Sequence, residues 1–74
     1  MWRVNVRCDG DSWKQSGAEF KTMTENYQLE LIGSQKMPNG IRIMAYKMDD
    51  ISEVETFIEN CTIFPGFTAE FESL

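Results

Sequence analysis

A chain of 74 residues, 42% of them hydrophobic, has room for a single small domain with one core. It holds two cysteines and no histidine, which excludes a closed Cys/His zinc site within one chain and any nucleophile that depends on a histidine base. The net charge is −5, and an acidic balance disfavours non-specific binding to nucleic acid. We therefore expect residues 1–74 to form one domain with limited catalytic chemistry.

The first part of the chain predicts a strand and a helix. Residues 2–8 alternate between apolar and polar side chains, which is typical of a half-buried strand. The aspartates and glycine of residues 9–12 then break the pattern. Ser16 and Glu19 fit a capping box, which predicts a short helix over residues 16–26.

A hairpin is predicted next. Residues 28–36 and 41–48 are apolar enough for two strands, and Pro38-Asn39-Gly40 between them is typical of a tight turn. In the return strand, the β-branched and small residues are expected to face inward and the larger or charged ones outward. The inward set is Ile41, Ile43 and Ala45, and the outward set is Arg42, Met44 and Tyr46.

The last part of the chain predicts a helix and a strand. Asp50 is placed to cap a helix that ends at Cys61 and carries one apolar stripe. Pro65-Gly66 makes a turn, and residues 67–72 alternate as a final strand. The core expected from all these elements includes Val4, Val6, Ile41, Ile43, Phe57, Ile58 and Phe71.

The order strand, helix, strand, strand, helix, strand resembles the ferredoxin-like α+β sandwich. Short, right-handed connections favour a four-stranded antiparallel sheet in the order 4-1-3-2 with both helices on one face. This fold hosts many unrelated functions, so the resemblance implies architecture alone. It also implies that the second face of the sheet is bare.

The bare face is the candidate functional site. By alternation it carries basic and polar side chains on the two central strands, while the last strand adds carboxylates that oppose the arginines. The predicted members of this face are Arg3, Asn5, Arg7, Ile32, Arg42, Met44, Tyr46, Glu70 and Glu72.

Methionine, tyrosine and arginine are enriched at protein interfaces. We therefore predict a non-catalytic interaction domain that forms a homodimer through this face or binds another protein. Residues 48–74 hold seven acids and no base, so the second part of the chain is expected to present an acidic surface.

Two other functions stay open. RNA-recognition domains stack bases on aromatic side chains of the same two central strands, so the arginines and Tyr46 would form a nucleic-acid surface. A dimeric ferredoxin-like ligand-binding protein or enzyme would instead hold a pocket between sheet and helices. Carboxylates beside the arginines favour protein contact over nucleic acid, because they cancel positive potential.

Cys8 and Cys61 are a possible thiol pair. Each ends an element on its apolar side, and the topology puts both at one end of the sandwich. Three interpretations remain: two buried small hydrophobes, a disulfide or redox pair, and a catalytic thiol, for which no base is available. The absence of a secretory signal predicts reduced thiols.

Neither a cofactor nor a metal is expected. The alternate aspartates of residues 9–12 begin as a calcium loop does, but Lys14 stands at a ligand position. No apolar run is long enough to span a membrane. Two cysteines without a secretory signal suggest a reducing compartment, so we expect a cytoplasmic location.

Overall fold

Six elements follow one another in the order β, α, β, β, α, β in a computed structural model that describes all 74 residues. They are β1 (Trp2–Cys8), α1 (Gly10–Thr24), β2 (Glu30–Lys36), β3 (Arg42–Met48), α2 (Ile51–Cys61) and β4 (Thr68–Ser73).

The strands form one antiparallel sheet in the order β2-β3-β1-β4. This is the predicted order, and the fold is the ferredoxin-like α+β sandwich. Both helices pack on the same side of the sheet, because Phe20 of α1 and Phe57 of α2 both lie against Tyr46 of β3, with ring centroids 6.4 and 5.6 Å away. The opposite side of the sheet, which we call the open face, has no helix on it.

α1 begins earlier than the capping box predicted. Asp9 is the N-cap, and its carboxylate accepts a hydrogen bond of 2.7 Å from the backbone N–H of Ser12. The predicted cap, Ser16, is instead a buried residue in the middle of the helix. The helix runs through Gly17, and the Trp13 ring lies over that position, where a Cβ would approach the ring to 3.0 Å. Packing of this ring offsets the low helix propensity of glycine.

The hairpin turn forms as predicted. Met37 N donates to the carbonyl of Ile41 at 2.7 Å, and Gly40 N donates to Met37 at 2.9 Å. Gly40 has a φ of 87°, which a residue with a side chain rarely adopts. α2 also begins where predicted, with Asp50 accepting from the backbone N–H of Ser52 at 2.9 Å.

The predicted orientation of β3 is wrong. Val4 pairs with Tyr46 and Val6 with Met44, so these residues of β3 face the helices. Met44 is 5% exposed and Tyr46 is 7% exposed. The alternative would place Lys47 under the helices, whereas burying large apolar side chains is favourable and needs no buried charge.

Arg42 shares this orientation and lies at the rim of the helix side. Its guanidinium carbon lies 4.8 Å from the centroid of the Trp13 ring on α1, and Lys21 approaches the same ring at 5.4 Å. Stacking of a cation on an indole face leaves the charge in water while the side-chain stem covers the core. Arg42 is therefore part of the helix packing and not of the open face.

Phe20 is the centre of the core. Its ring lies 5.2 Å from Phe67 and 6.2–6.4 Å from the rings of Trp13, Tyr46, Phe57 and Phe64. The ring planes are tilted or perpendicular to one another, as edge-to-face contacts require. The remaining fully buried side chains are Val4, Val6, Cys8, Met48, Val54, Phe57 and Cys61.

Part of the predicted core lies elsewhere. Ile41 and Ile43 are half-buried, since the orientation of β3 is reversed, and Ile58 packs at the margin of the core. Phe71 faces the helix side opposite Val4 but is 44% exposed, because β4 is an edge strand. Its ring contacts Trp2 edge-on, with centroids 5.6 Å apart.

These environments predict different stabilities for two Phe→Ala variants. Phe20→Ala should lower the free energy of unfolding by about 3–5 kcal/mol, because it opens a cavity among five rings. Phe71→Ala removes the same atoms from a partly exposed site and should cost about 1–2 kcal/mol. Urea unfolding followed by circular dichroism measures both; equal losses would contradict the described core.

Candidate functional site

The open face is built from alternate residues of all four strands. Val4 and Val6 of β1 are buried under the helices, so the intervening side chains of β1 point to the other side. Strand pairing then assigns the residues that share that side. They are Arg3, Asn5 and Arg7 of β1, Ile43, Ala45 and Lys47 of β3, Glu30, Gly33 and Gln35 of β2, and Thr68, Glu70 and Glu72 of β4.

The arginines of β1 and the glutamates of β4 lie on the same face, as predicted. Arg3 pairs directly with Glu72, and its Nε lies 3.9 Å from a carboxylate oxygen of that residue. The same Nε donates a hydrogen bond of 3.1 Å to the side-chain oxygen of Asn5. Both charged side chains are largely exposed, so this ion pair contributes about 0.2–1 kcal/mol.

Four of the six charges on this face have no ion-pair partner, and two of them, Arg7 and Glu70, lie on β1 and β4. Arg7 is paired with Thr68 on one side and with Ile43 on the other, while Glu70 is paired with Asn5. Arg3 and Glu72 form the only ion pair of the molecule. Arg7 and Glu70 border a shallow depression of about 340 Å³, whose floor includes Ile43 and Thr68. Both charges are therefore available to a binding partner.

The middle of the face is small and flat. Ala45 of β3 lies between Asn5 and Gly33, and a Cβ added at Gly33 would be 3.6 Å from that of Ala45. A second shallow depression of about 310 Å³ lies here. The apolar contribution of the face is thus Ile43 and Ala45, in place of the predicted strip of Ile32, Met44 and Tyr46.

Four members of the predicted face are corrected accordingly. Met44 and Tyr46 are core residues, and Arg42 stacks on Trp13. Ile32 is the extra residue of a bulge in β2 and is 43% exposed at the edge of the sheet. Sequence reasoning missed Ile43, Ala45 and Lys47 on the open face, because each alternating set of β3 holds one basic residue and alternation alone does not separate the two sets.

The two thiols have no reactive environment. Cys8 and Cys61 are free cysteines, with exposed fractions of 1% and 0%, and no disulfide joins them. Burial raises the pKa of the Cys61 thiol to about 12, and burial and the nearby Asp9 carboxylate also raise the pKa of Cys8. A nucleophilic thiol requires a lowered pKa, so both residues act as small hydrophobic side chains.

The largest concavity of the molecule, about 640 Å³, lies on the surface at the start of α1, beside the β2–β3 turn. Neither this concavity nor the depressions of the open face lie between the sheet and the helices, where the aromatic cluster fills the space.

No group of three or more His, Cys, Asp or Glu side chains is arranged to hold a metal ion. No helix has the length and apolarity needed to cross a membrane.

Comparison of the chain with protein-family models, curated proteins and solved structures gave no match.

The buried ionisable groups predict a loss of stability at alkaline pH. Burial raises the pKa of Tyr46 and of Cys61 to about 12, above the ordinary values of 10.0 and 9.0. Their contribution is complete below about pH 9 and is lost as pH rises toward 12, because the unfolded chain ionises first. Urea unfolding between about pH 8 and 11 should show a falling free energy of unfolding, with a shallower decline for Cys61→Val. A constant value across this range would contradict the assigned burial.

Proposed function

We propose that the chain is a non-catalytic protein-interaction domain that associates with a second copy of itself through the open face. The observation that carries this proposal is the separation of charge between neighbouring strands. β1 contributes Arg3 and Arg7 to the open face, and β4 contributes Glu70 and Glu72. When a two-fold axis turns a second copy over onto the first, the basic strand of each copy faces the acidic strand of the other, so the two faces are complementary in charge.

The favourable position of this axis follows from the strand register. A two-fold axis that runs parallel to the strands, between β1 and β4, places β1 of each copy over β4 of the other copy. Arg3 then lies opposite Glu72 of that copy, and Arg7 lies diagonally from Glu70, within reach of a long side chain. The contact therefore gives a partner to Arg7 and Glu70, which have none within one copy.

A contact centred elsewhere is disfavoured by charge. With the axis between β3 and β1, the two sheets would overlap completely, but Arg3 would lie over Lys47 and Glu72 over Glu30. Like charges in direct opposition are repulsive, so the offset arrangement is selected over the full overlap.

The size of the face sets the strength of association. Only β1 and β4 overlap the second copy in this offset contact, and two strands spaced about 4.8 Å apart and roughly 20 Å long cover about 200 Å². Stable dimers bury about 800 Å² on each partner. Association through this face alone is therefore weak and concentration-dependent, as suits a reversible interaction domain.

The competing functions have less support. The open face has no aromatic side chain for base stacking, because Tyr46 lies in the core, and its acids offset its bases. An enzyme would need an activated group, whereas both thiols are buried and the chain lacks histidine.

Because the open face lacks an aromatic side chain and a net positive charge, single-stranded RNA or DNA should show no binding at physiological salt by fluorescence anisotropy. Micromolar affinity that falls as salt is added would instead favour nucleic-acid binding over self-association.

Charge reversal tests the proposed contact. In sedimentation equilibrium, R7E and E70R should each raise the dissociation constant of self-association by about tenfold or more, because each brings like charges together. An equimolar mixture of the two variants should recover the wild-type affinity, since Glu at position 7 then meets Arg at position 70 of the other copy.

The controls make the same charge changes on the helix side. Lys14→Glu and Glu55→Arg alter exposed residues of α1 and α2 and should leave association unchanged. Self-association of R7E and E70R equal to that of the wild type, or failure of the mixture to recover affinity, would overturn the proposed contact. Tyr46→Glu is unsuitable as a test, because it places a charge in the core.

A further inference from the structure

The β2–β3 turn contains the only asparagine of the chain that precedes a glycine. Asn39 is followed by Gly40, whereas Asn5, Asn26 and Asn60 are followed by valine, tyrosine and cysteine. Because glycine has no Cβ, its backbone nitrogen is open to close approach by a neighbouring group. Asn39 is also exposed, so water reaches its side-chain amide.

The side chain of Asn39 folds back over the turn. Its Oδ1 accepts a hydrogen bond of 3.2 Å from the backbone N–H of Ile41, two residues further on. This bond holds Cγ on the side of the turn that faces the Gly40 nitrogen. It also places a donor at the oxygen that becomes negative when a nucleophile adds to Cγ, as in an oxyanion hole. The turn therefore brings a nucleophile, an electrophile and a donor together within three residues.

The surroundings of the turn carry an excess of positive charge. Asn39 and Gly40 line the concavity of about 640 Å³ at the start of α1. The charged residues that line the same concavity are Lys14, Lys36, Arg42, Asp9 and Asp11. None of the three bases has an ion-pair partner, while the Asp9 carboxylate is engaged as the helix cap. Unpaired cations stabilise an oxyanion or a carboxylate that forms beside them.

We propose that Asn39 is a modification site, at which the side-chain amide is converted to a carboxylate through a cyclic imide. The Gly40 nitrogen attacks Cγ of Asn39 and forms a new C–N bond. The bond from Cγ to Nδ2 breaks, and Nδ2 leaves as ammonia with the proton of the Gly40 N–H. Water then opens the five-membered ring at either carbonyl, which gives aspartate or isoaspartate. Water is the only co-reactant.

The hydrogen bonds of the turn set how fast this reaction proceeds. The Gly40 N–H donates to the Met37 carbonyl at 2.9 Å, and this bond must open before the nitrogen attacks. It is a single bond in an exposed hairpin turn, which opens locally without unfolding of the domain. The reaction therefore takes place in the folded protein. Each converted molecule gains one negative charge, which balances the charge of the concavity.

Peptide mapping by mass spectrometry, after incubation of the folded protein at mildly alkaline pH, measures the loss of each asparagine. Asn39 should be lost at least about tenfold faster than Asn26, which is also exposed but precedes a bulky residue. The loss of Asn39 should accelerate as pH rises, because the attacking nitrogen must give up its proton. G40A should abolish the difference from Asn26. Equal rates for Asn39 and Asn26 in the wild type would overturn the proposal, whether or not G40A folds.

The part played by the concavity is tested with a residue distant in sequence. K14Q removes one lining cation and should slow the loss of Asn39 in the folded protein about twofold or more, but not in the urea-unfolded chain. K47Q makes the same charge change on the open face and should leave both rates as in the wild type. Identical rates for folded K14Q and folded wild type would overturn the part assigned to the concavity.

Discussion

The antiparallel register between β1 and β3 is the constraint on which the rest of the structure depends. It places Val4 opposite Tyr46 and Val6 opposite Met44, and so decides which alternate residues of both central strands lie under the helices. Strand alternation then assigns every other residue of the sheet to one face. A shift by one residue would bury Lys47 and expose Tyr46, which the aromatic cluster opposes.

The aromatic cluster fixes this register from the helix side. Phe20 contributes a ring from α1 that lies among rings from β3, α2 and the segment before β4. Such a cluster forms only when Tyr46 faces the helices, and its filled interior leaves no pocket between the layers. The same packing raises the pKa of the buried phenol and of Cys61, so the chemistry of the core follows from its geometry.

The surface chemistry follows from the same register. Once Arg3 and Arg7 lie on the open face, pairing of β1 with β4 brings Glu70 and Glu72 beside them. The acids of the second half of the chain are thus divided between this face and the solvated side of α2, where Glu55 and Glu59 are exposed. The open face is nearly balanced in charge although the whole chain is acidic. Balanced, separated charges favour association of like molecules over attraction of a polyanion.

The sequence by itself determined the order of elements, the sheet topology, the Asp50 cap, the hairpin turn and the position of the β4 glutamates. The sheet topology follows from the order of elements and from short, right-handed connections. The other features depend on alternation, capping side chains and turn residues, which act over a few residues. The thiols were correctly placed on the buried side of β1 and α2 for the same reason.

Only the tertiary structure decided the start of α1 and the orientation of β3. Both strand orientations of β3 alternate equally well, since Ile41, Ile43 and Ala45 are as apolar as Met44, Tyr46 and Met48. The choice is made by non-local contacts with β1 and Phe20, which residue spacing does not contain. Likewise the close packing of Trp13 over Gly17 depends on the tertiary arrangement, and the exposed β2 edge exists because neither helix reaches that strand.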